Sequence, residues 1–155
     1  MDLVIVELEG QRYGLRADAV REVVRAGSIT PLPNAPAVVE GVINVRGSVV
    51  AVFDLRQRFG LPARALDPSE YFALARAGDR EVAVRVDRAI ELVSIDPAAV
   101  DRAEPILRRS RYLAGVAKLD EGLVLIHDLE AFLSEAEAAS VDEALAAHEG
   151  AGDGA

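Results

Sequence analysis

The strongest constraint on this chain is that much of it is written twice. Placing Asp18 on Asp87 also places Arg16 on Arg85 and Glu22 on Glu91, an offset of 69 residues. Further on, GVAKLDEGLVLIHDLEAFL (115–133) lies over GVINVRGSVVAVFDLRQRF (41–59) at an offset of 74, matching Gly41 to Gly115, Val42 to Val116, Val50 to Val124, Asp54 to Asp128 and Leu55 to Leu129. The difference of five between the two offsets is one loop insertion. Two copies, against the many of a solenoid, predict two small units packed about a pseudo-twofold axis. The first repeat covers about residues 1–60 and the second about 70–134, within a domain of 1–136. LPARALDPS (61–69), with two prolines, reads as the connector. The Ala/Glu-rich remainder, 137–155, reads as a tail that is partly helical and then disordered, because its apolar stripe is mostly alanine.

Within each copy the pattern is that of strands and tight turns. LVIVEL (3–8), Glu9-Gly10 and QRYGLRA (11–17) predict a hairpin, repeated by YFALARA (71–77), Gly78-Asp79 and REVAVRV (80–86). Asp18 is placed to cap a short helix with Val20, Val23 and Val24 on one face, and DRAIELV (87–93) repeats it. The three prolines of PLPNAP (31–36) forbid regular ladder pairing, and Asn34 is placed to cap a single turn over AVVE (37–40). Residues 41–45 and 49–54 then pair as strands, with Gly47 supplying the positive φ of their turn. The fold class is mainly β.

Composition narrows the functions. A chain of 155 residues can bury roughly 70% of the surface its unfolded form exposes, enough for a real core. Asp and Glu outnumber Lys and Arg by 26 to 17, a net charge of -9 that would repel a phosphate backbone, so nucleic acid is not an expected partner. With no cysteine there is no disulfide framework, thiolate metal site or cysteine nucleophile, which fits a cytoplasmic setting. No stretch approaches the ~20 apolar residues of a membrane helix, so direct membrane insertion is not expected.

Catalytic chemistry finds little footing. The twofold pair Asp54 and Asp128, each ending an apolar strand, has the look of a two-carboxylate hydrolase site, but such a dyad needs its carboxylates about 3 Å apart. Each is followed by leucine, and an aspartate at a strand end more commonly caps the next turn or helix. His127 stands where the first copy has Phe53, which argues for packing, and His148 lies in the tail, so a metal site has no support. No phosphate cradle or nucleophile elbow is present. Arg108, Arg109 and Arg111 form a short basic run that reads as a solvated loop with local ion pairs rather than an anion site.

The repeat also supplies an internal control, since positions kept in both copies serve the fold and positions that differ are freer for function. Glu22 and Glu91 agree, leaving a structural and a binding role for Glu22 equally open. NVRG (44–47) faces KLDE (118–121), so Arg46 corresponds to Asp120, a reversal of charge. A hairpin requires neither arginine nor asparagine there, whereas a guanidinium fork on a rigid turn suits a carboxylate on a partner. The competing account is an ordinary ion pair inside the domain.

ITPLPNAPAVVEGVINVRGSVVAVFDLRQRFG (29–60) resembles the signature of the CheW family of chemotaxis coupling proteins. Tyr13-Gly14 in the first hairpin, VREVVR, VRVDRAIELVSI and YLAGVAKLDEGLVLIHDLEAFL (112–133) are similar to the family in order and spacing, so the likeness covers 2–134. It implies two pseudo-symmetric five-stranded β-barrel subdomains with short helices and a C-terminal helix, and no active site, cofactor or metal. The implied role is a cytoplasmic adaptor between the signalling tip of a methyl-accepting chemotaxis receptor and the regulatory domain of the histidine kinase CheA, recruited to membrane arrays through these partners. Receptor contact is implied at Val20, Glu22, Gly41 and Arg46, with Asn44 and Gly47 holding the turn, in a groove between the barrels; kinase-facing residues are not assigned. Ala51 stands where proline is common in the family, and 155 residues leave no room for a kinase core or receiver domain. A similar adaptor in a twitching or developmental pathway is the alternative.

Overall fold

Alternating apolar residues and two-residue turns set the architecture. In a computed structural model, which describes residues 1–101, 113–120, 122–129 and 135–153, the first hairpin is β1 (Asp2–Leu8) and β2 (Gln11–Arg16). Its turn, Glu9 and Gly10, has φ of 49° and 77°. Positive φ at both positions gives the twist that lets neighbouring strands pair without splaying. β3 (Val20–Arg25), β4 (Val39–Val45) and β5 (Ser48–Asp54) follow, then a short helix α1 (Leu55–Phe59). The second copy supplies β6 (Tyr71–Ala77), β7 (Arg80–Val86) and β8 (Arg88–Ser94). A 3-10 turn (Pro97–Ala99) leads to β9 (Val100–Asp101), then come β10 (Leu113–Leu119), β11 (Gly122–His127) and a final helix α2 (Glu135–Asp153).

The strands form two sheets, ordered β8-β1-β2-β11-β10-β9 and β3-β6-β7-β5-β4. Exchanging each strand of one copy for its repeat mate turns the first five of one order into the other, which is the pseudo-twofold axis in topological form. Even β9, opposite Val116, has a counterpart in the isolated bridge between Thr30 and Val42. Each sheet draws on both halves of the sequence: β11 runs parallel to β2, with Val124–Ile126 beside Arg12–Gly14, and β5 runs parallel to β7, with Ala51–Asp54 beside Val82–Arg85.

Three apolar clusters follow from this exchange. Leu3, Ile5, Ala117, Val124 and Ile126 fill the inner face of one sheet, and their mates Phe72, Leu74, Val50 and Val52, with Ala83, fill the other. The opposite faces meet in a larger central cluster that includes Val6, Leu8, Leu15, Phe53, Val82, Val84 and Val86. The long helix packs there through Val141 and Ala144, both buried. Burying a valine contributes about 1.5 kcal/mol or more, against about 0.2–1 kcal/mol for the partly exposed pair Arg80–Asp142. Packing therefore anchors the helix. It runs on to Asp153. No described helix is long and apolar enough to cross a membrane.

The two short helices expected after the first and second hairpins are strands, β3 and β8. The helical spacing of their apolar residues has another cause. The pairing of β3 with β6 shifts register between Val20 and Glu22, and that of β8 with β1 shifts at the equivalent place. A bulge adds one residue to the period of two, so Val20 and Val23 both reach the central cluster, as Ile90 and Val93 both reach the inner cluster of the other sheet. Asp18 consequently caps no helix and pairs with Arg16 at 3.0 Å. The single turn over 37–40 is also corrected: Val39 N–H donates to the Pro36 carbonyl at 2.9 Å and Val39 already belongs to β4, while Asn34 itself takes positive φ, 64°.

Candidate functional site

The turn between β4 and β5 uses two residues of positive φ, Arg46 at 50° and Gly47 at 89°. Glycine takes this conformation freely, whereas a side chain there costs roughly 1–2 kcal/mol. Asn44 is tied into the turn by its side chain: its Oδ1 accepts from Gly47 N–H at 2.8 Å. Arg46 Nη2 donates to Glu22 Oε2 at 2.7 Å, with side-chain exposures of 72% and 35%. The domestic ion pair anticipated for Arg46 therefore exists. An exposed pair contributes only about 0.2–1 kcal/mol, too little to offset the turn conformation on its own. Local stability does not explain an arginine at this position.

Arg46 and Glu22 stand at the mouth of a groove of about 430 Å³ between β3 and β4, the two outer strands of their sheet. Val24, Ile43 and Val45 form its walls and Phe72 and Leu74 of β6 its floor, with Ser28 and Arg25 at the rim. Apolar floor and charged rim together fit an amphipathic segment of another protein. Glu22, Asn44 and Arg46 line this groove, which lies within one sheet and not between the two; Val20, Gly41 and Gly47 are not among its lining residues. Val20 packs half-buried against the central cluster. Gly41 is buried where a Cβ would lie 2.2 Å from the Thr30 carbonyl oxygen, so glycine there permits the Thr30–Val42 bridge.

A second concentration of charge lies buried where the halves and their connector meet. Arg56 of α1 is fully buried; its Nη2 donates to Glu9 Oε1 at 3.0 Å and to Asp87, and Glu70 Oε1 lies 3.8 Å from Nη1. Arg85 of β7 grips Glu70 with Nε and Nη2 at 2.9 and 3.0 Å, Glu40 with Nη1 at 2.7 Å, and the Arg64 carbonyl at 2.9 Å. Burial raises the Glu40 pKa and outweighs Arg85 beside it. Burial also opposes ionisation of Asp87, yet the Arg56 and Glu9 N–H donors hold its pKa below the usual range. This network ties the first turn, β4, α1, the connector and β7 together. Sequence reasoning missed it, although an arginine inside the apolar run VAVRV was a signal.

The paired-aspartate alternative has no geometry behind it. Asp54 caps α1, its Oδ1 accepting Arg56 N–H at 2.9 Å, as its place at a strand end predicts. Its acidic neighbour is Glu40. Asp128 instead lines a separate cavity with Arg16, Arg76 and His127, and Asp54 is not on that wall. His127 is buried like its mate Phe53, edge-on to Phe59 at 5.6 Å, and burial lowers its pKa to about 4. The Arg108, Arg109 and Arg111 run lies outside the described residues.

Comparison with known proteins gives this geometry its context. The family model described as CheW-like domain matches residues 2–137. The chain is 28% identical to Chemotaxis protein CheW of Klebsiella aerogenes over 149 residues, covering 95% of this chain and 90% of that protein. It is 26% identical to Chemotaxis protein CheW of Treponema pallidum over 141 residues, 87% and 83% of the two chains. Protein FrzA of Myxococcus xanthus is 32% identical over 89 residues, 57% of this chain and 56% of that one. The crystal structure of scaffolding protein TtCheW from Thermoanaerobacter tengcongensis superposes with a TM-score of 0.79 at 28% identity, covering 88% of this chain and 89% of that chain.

Proposed function

The chain belongs to the family of CheW-like domains, and from that premise we propose that it is a non-enzymatic adaptor coupling chemoreceptor signalling tips to the histidine kinase CheA. The observation that carries this reading is the family match over 2–137 together with the TtCheW fold. The adaptor is cytoplasmic and reaches membrane arrays through its partners. Residues 1–136 form the coupling domain and 137–155 an appendage to it. Arg46 presents the receptor-facing charge, supported by its exposure and by a turn conformation that folding alone does not favour. Glu22 holds the guanidinium until an acidic partner group exchanges with it, while Val20, Gly41, Asn44 and Gly47 shape the strands and turn around it. Single contacts near micromolar correspond to about -8 kcal/mol, and an array multiplies them through effective concentration.

The test is reconstitution with receptor signalling fragments and CheA, following co-sedimentation and kinase phosphotransfer. The wild type is expected to bind both partners, and Arg46→Glu to weaken receptor binding about tenfold to a hundredfold, the range of a charge-assisted hydrogen bond. Failure of the wild type to bind either partner would refute the adaptor reading. Unchanged binding by a folded Arg46→Glu would refute the role of Arg46 alone. The likeness to FrzA, a relative not called CheW, favours one second reading: the same coupling within a twitching or developmental pathway. The receptors recovered with the protein distinguish the two.

A further inference from the structure

We propose that the cavity at the ends of β2, β6, β10 and β11 receives an acidic side chain of a partner protein, gripped by Arg16 and Arg76. The cavity, of about 500 Å³, is lined by Arg16, Asp18, Arg76, Ala114, His127 and Asp128, among others. Its meaning comes from the pseudo-twofold axis, which carries Arg16 onto Arg85, Ala114 onto Glu40 and Met1 onto Glu70. At Arg85 the guanidinium is buried and makes four hydrogen bonds, holding Glu70 in a fork at 2.9 and 3.0 Å, Glu40 at 2.7 Å and the Arg64 carbonyl at 2.9 Å. At Arg16 the equivalent carboxylates are gone. Alanine replaces Glu40, methionine replaces Glu70, and open volume stands in their place. Arg16 is left with the exposed Asp18 at 3.0 Å.

The occupied site also indicates the kind of occupant. What fills it is a segment of chain, the connector 61–70, offering a glutamate and a backbone carbonyl to one guanidinium. The vacant copy therefore takes a polypeptide segment bearing Glu or Asp, which a planar donor fork recognises in two-point geometry. Arg76 adds a second cation, and among the described residues no carboxylate lies within ion-pair distance of it. Asp18 and Asp128 on the same wall balance the two arginines, so recognition works by direct contact and not by long-range attraction. The site lies apart from the groove at Arg46, shares no residue with it, and does not depend on the function proposed above.

The probe is a capped heptapeptide with glutamate at its centre and small neutral residues on either side, titrated into the full chain to about 10 mM and followed by NMR at the Arg16 and Arg76 side-chain Nε–H and the Ala114 amide. Saturable shifts are expected at all three. Arg16→Gln and Arg76→Gln, both at solvent-accessible positions, should weaken them about tenfold or more, while the thermal midpoint stays within about 2 °C of wild type. The peptide with glutamine in place of glutamate should give no shift. Absence of saturable shifts, equal response to the glutamine peptide, or unchanged binding by the double arginine variant would each overturn the proposal. Equal affinity for succinate would overturn the polypeptide assignment by making this a small-carboxylate site.

Discussion

Replacing His127 by phenylalanine should remove about 2–3 kcal/mol of the stability that this fold loses between about pH 7 and pH 4.5. The imidazole is buried in a ring cluster with Phe59, itself stacked on Tyr13 at 4.9 Å, and burial depresses its pKa from 6.5 to about 4. Above about pH 6.5 the imidazole is neutral in both folded and unfolded chains and imposes no penalty. Between about pH 6.5 and 4 the unfolded chain binds a proton that the folded chain refuses, so stability falls as pH falls. Below about 4 both states are protonated and the loss stops growing. At 1.36 kcal/mol per pH unit the full window corresponds to about 3 kcal/mol, most of it spent by about pH 4.5. Phenylalanine is the residue the other copy uses at this place, and it carries no proton to refuse. Urea denaturation of both proteins at about pH 7 and pH 4.5 measures the difference directly. Carboxylates such as Glu40 and Asp87 titrate in both proteins and cancel. The wild type should lose about 2–3 kcal/mol more than His127→Phe. Parallel losses would refute the argument that burial keeps this histidine neutral.

Glu70→Ala should cost about 3–5 kcal/mol, because it removes the buried carboxylate that the Arg85 fork grips, and lower the thermal midpoint by roughly 6–20 °C as read by circular dichroism; a shift under about 2 °C would show that the network does not hold the connector. Gly41→Ala should destabilise more than Gly47→Ala, since the first meets the Thr30 carbonyl at 2.2 Å and the second meets nothing within 4 Å. Equal urea midpoints would remove close approach as the reason for Gly41. Arg46→Asn, which tolerates positive φ, should leave stability unchanged or raise it by up to about 1 kcal/mol while weakening receptor binding, and a clear loss of stability would mean that the Glu22 pair contributes more than an exposed pair can.

The hairpins were legible because their signals are local. A two-residue turn with glycine between alternating runs depends on nothing distant, and the constant offsets carried each assignment from one copy to the other. β3 and β8 were misread because a bulge imitates the helical period, and a bulge is set by the partner strand. The same limit applies to the candidate site. Arg46 was found by its difference from Asp120, but its pairing with Glu22 across 24 residues required the two edges of a sheet to be placed together. The network around Arg56 and Arg85 joins residues from five separate segments, and no window of sequence holds enough of them to reveal it. Gly41 matches Gly115, and the family resemblance implies it at the receptor contact; its restriction on bulk is visible only beside Thr30.

The exchange of strands between halves governs how the chain must be made. β1 pairs with β8 on one flank, and β2 with β11 on the other. As synthesis proceeds from the N-terminus, the opening hairpin emerges first and then stands with both flanks unsatisfied until residue 94 supplies one partner and residue 127 the other. At about 5–20 residues per second, that wait lasts roughly 6–20 seconds. The nascent protein carries two open strand edges until residue 94 emerges and one from then until residue 127, the kind that pair with other chains. A ribosome-bound fragment ending before β11 should therefore be the species most in need of a chaperone, since the sheet closes only when β11 reaches β2.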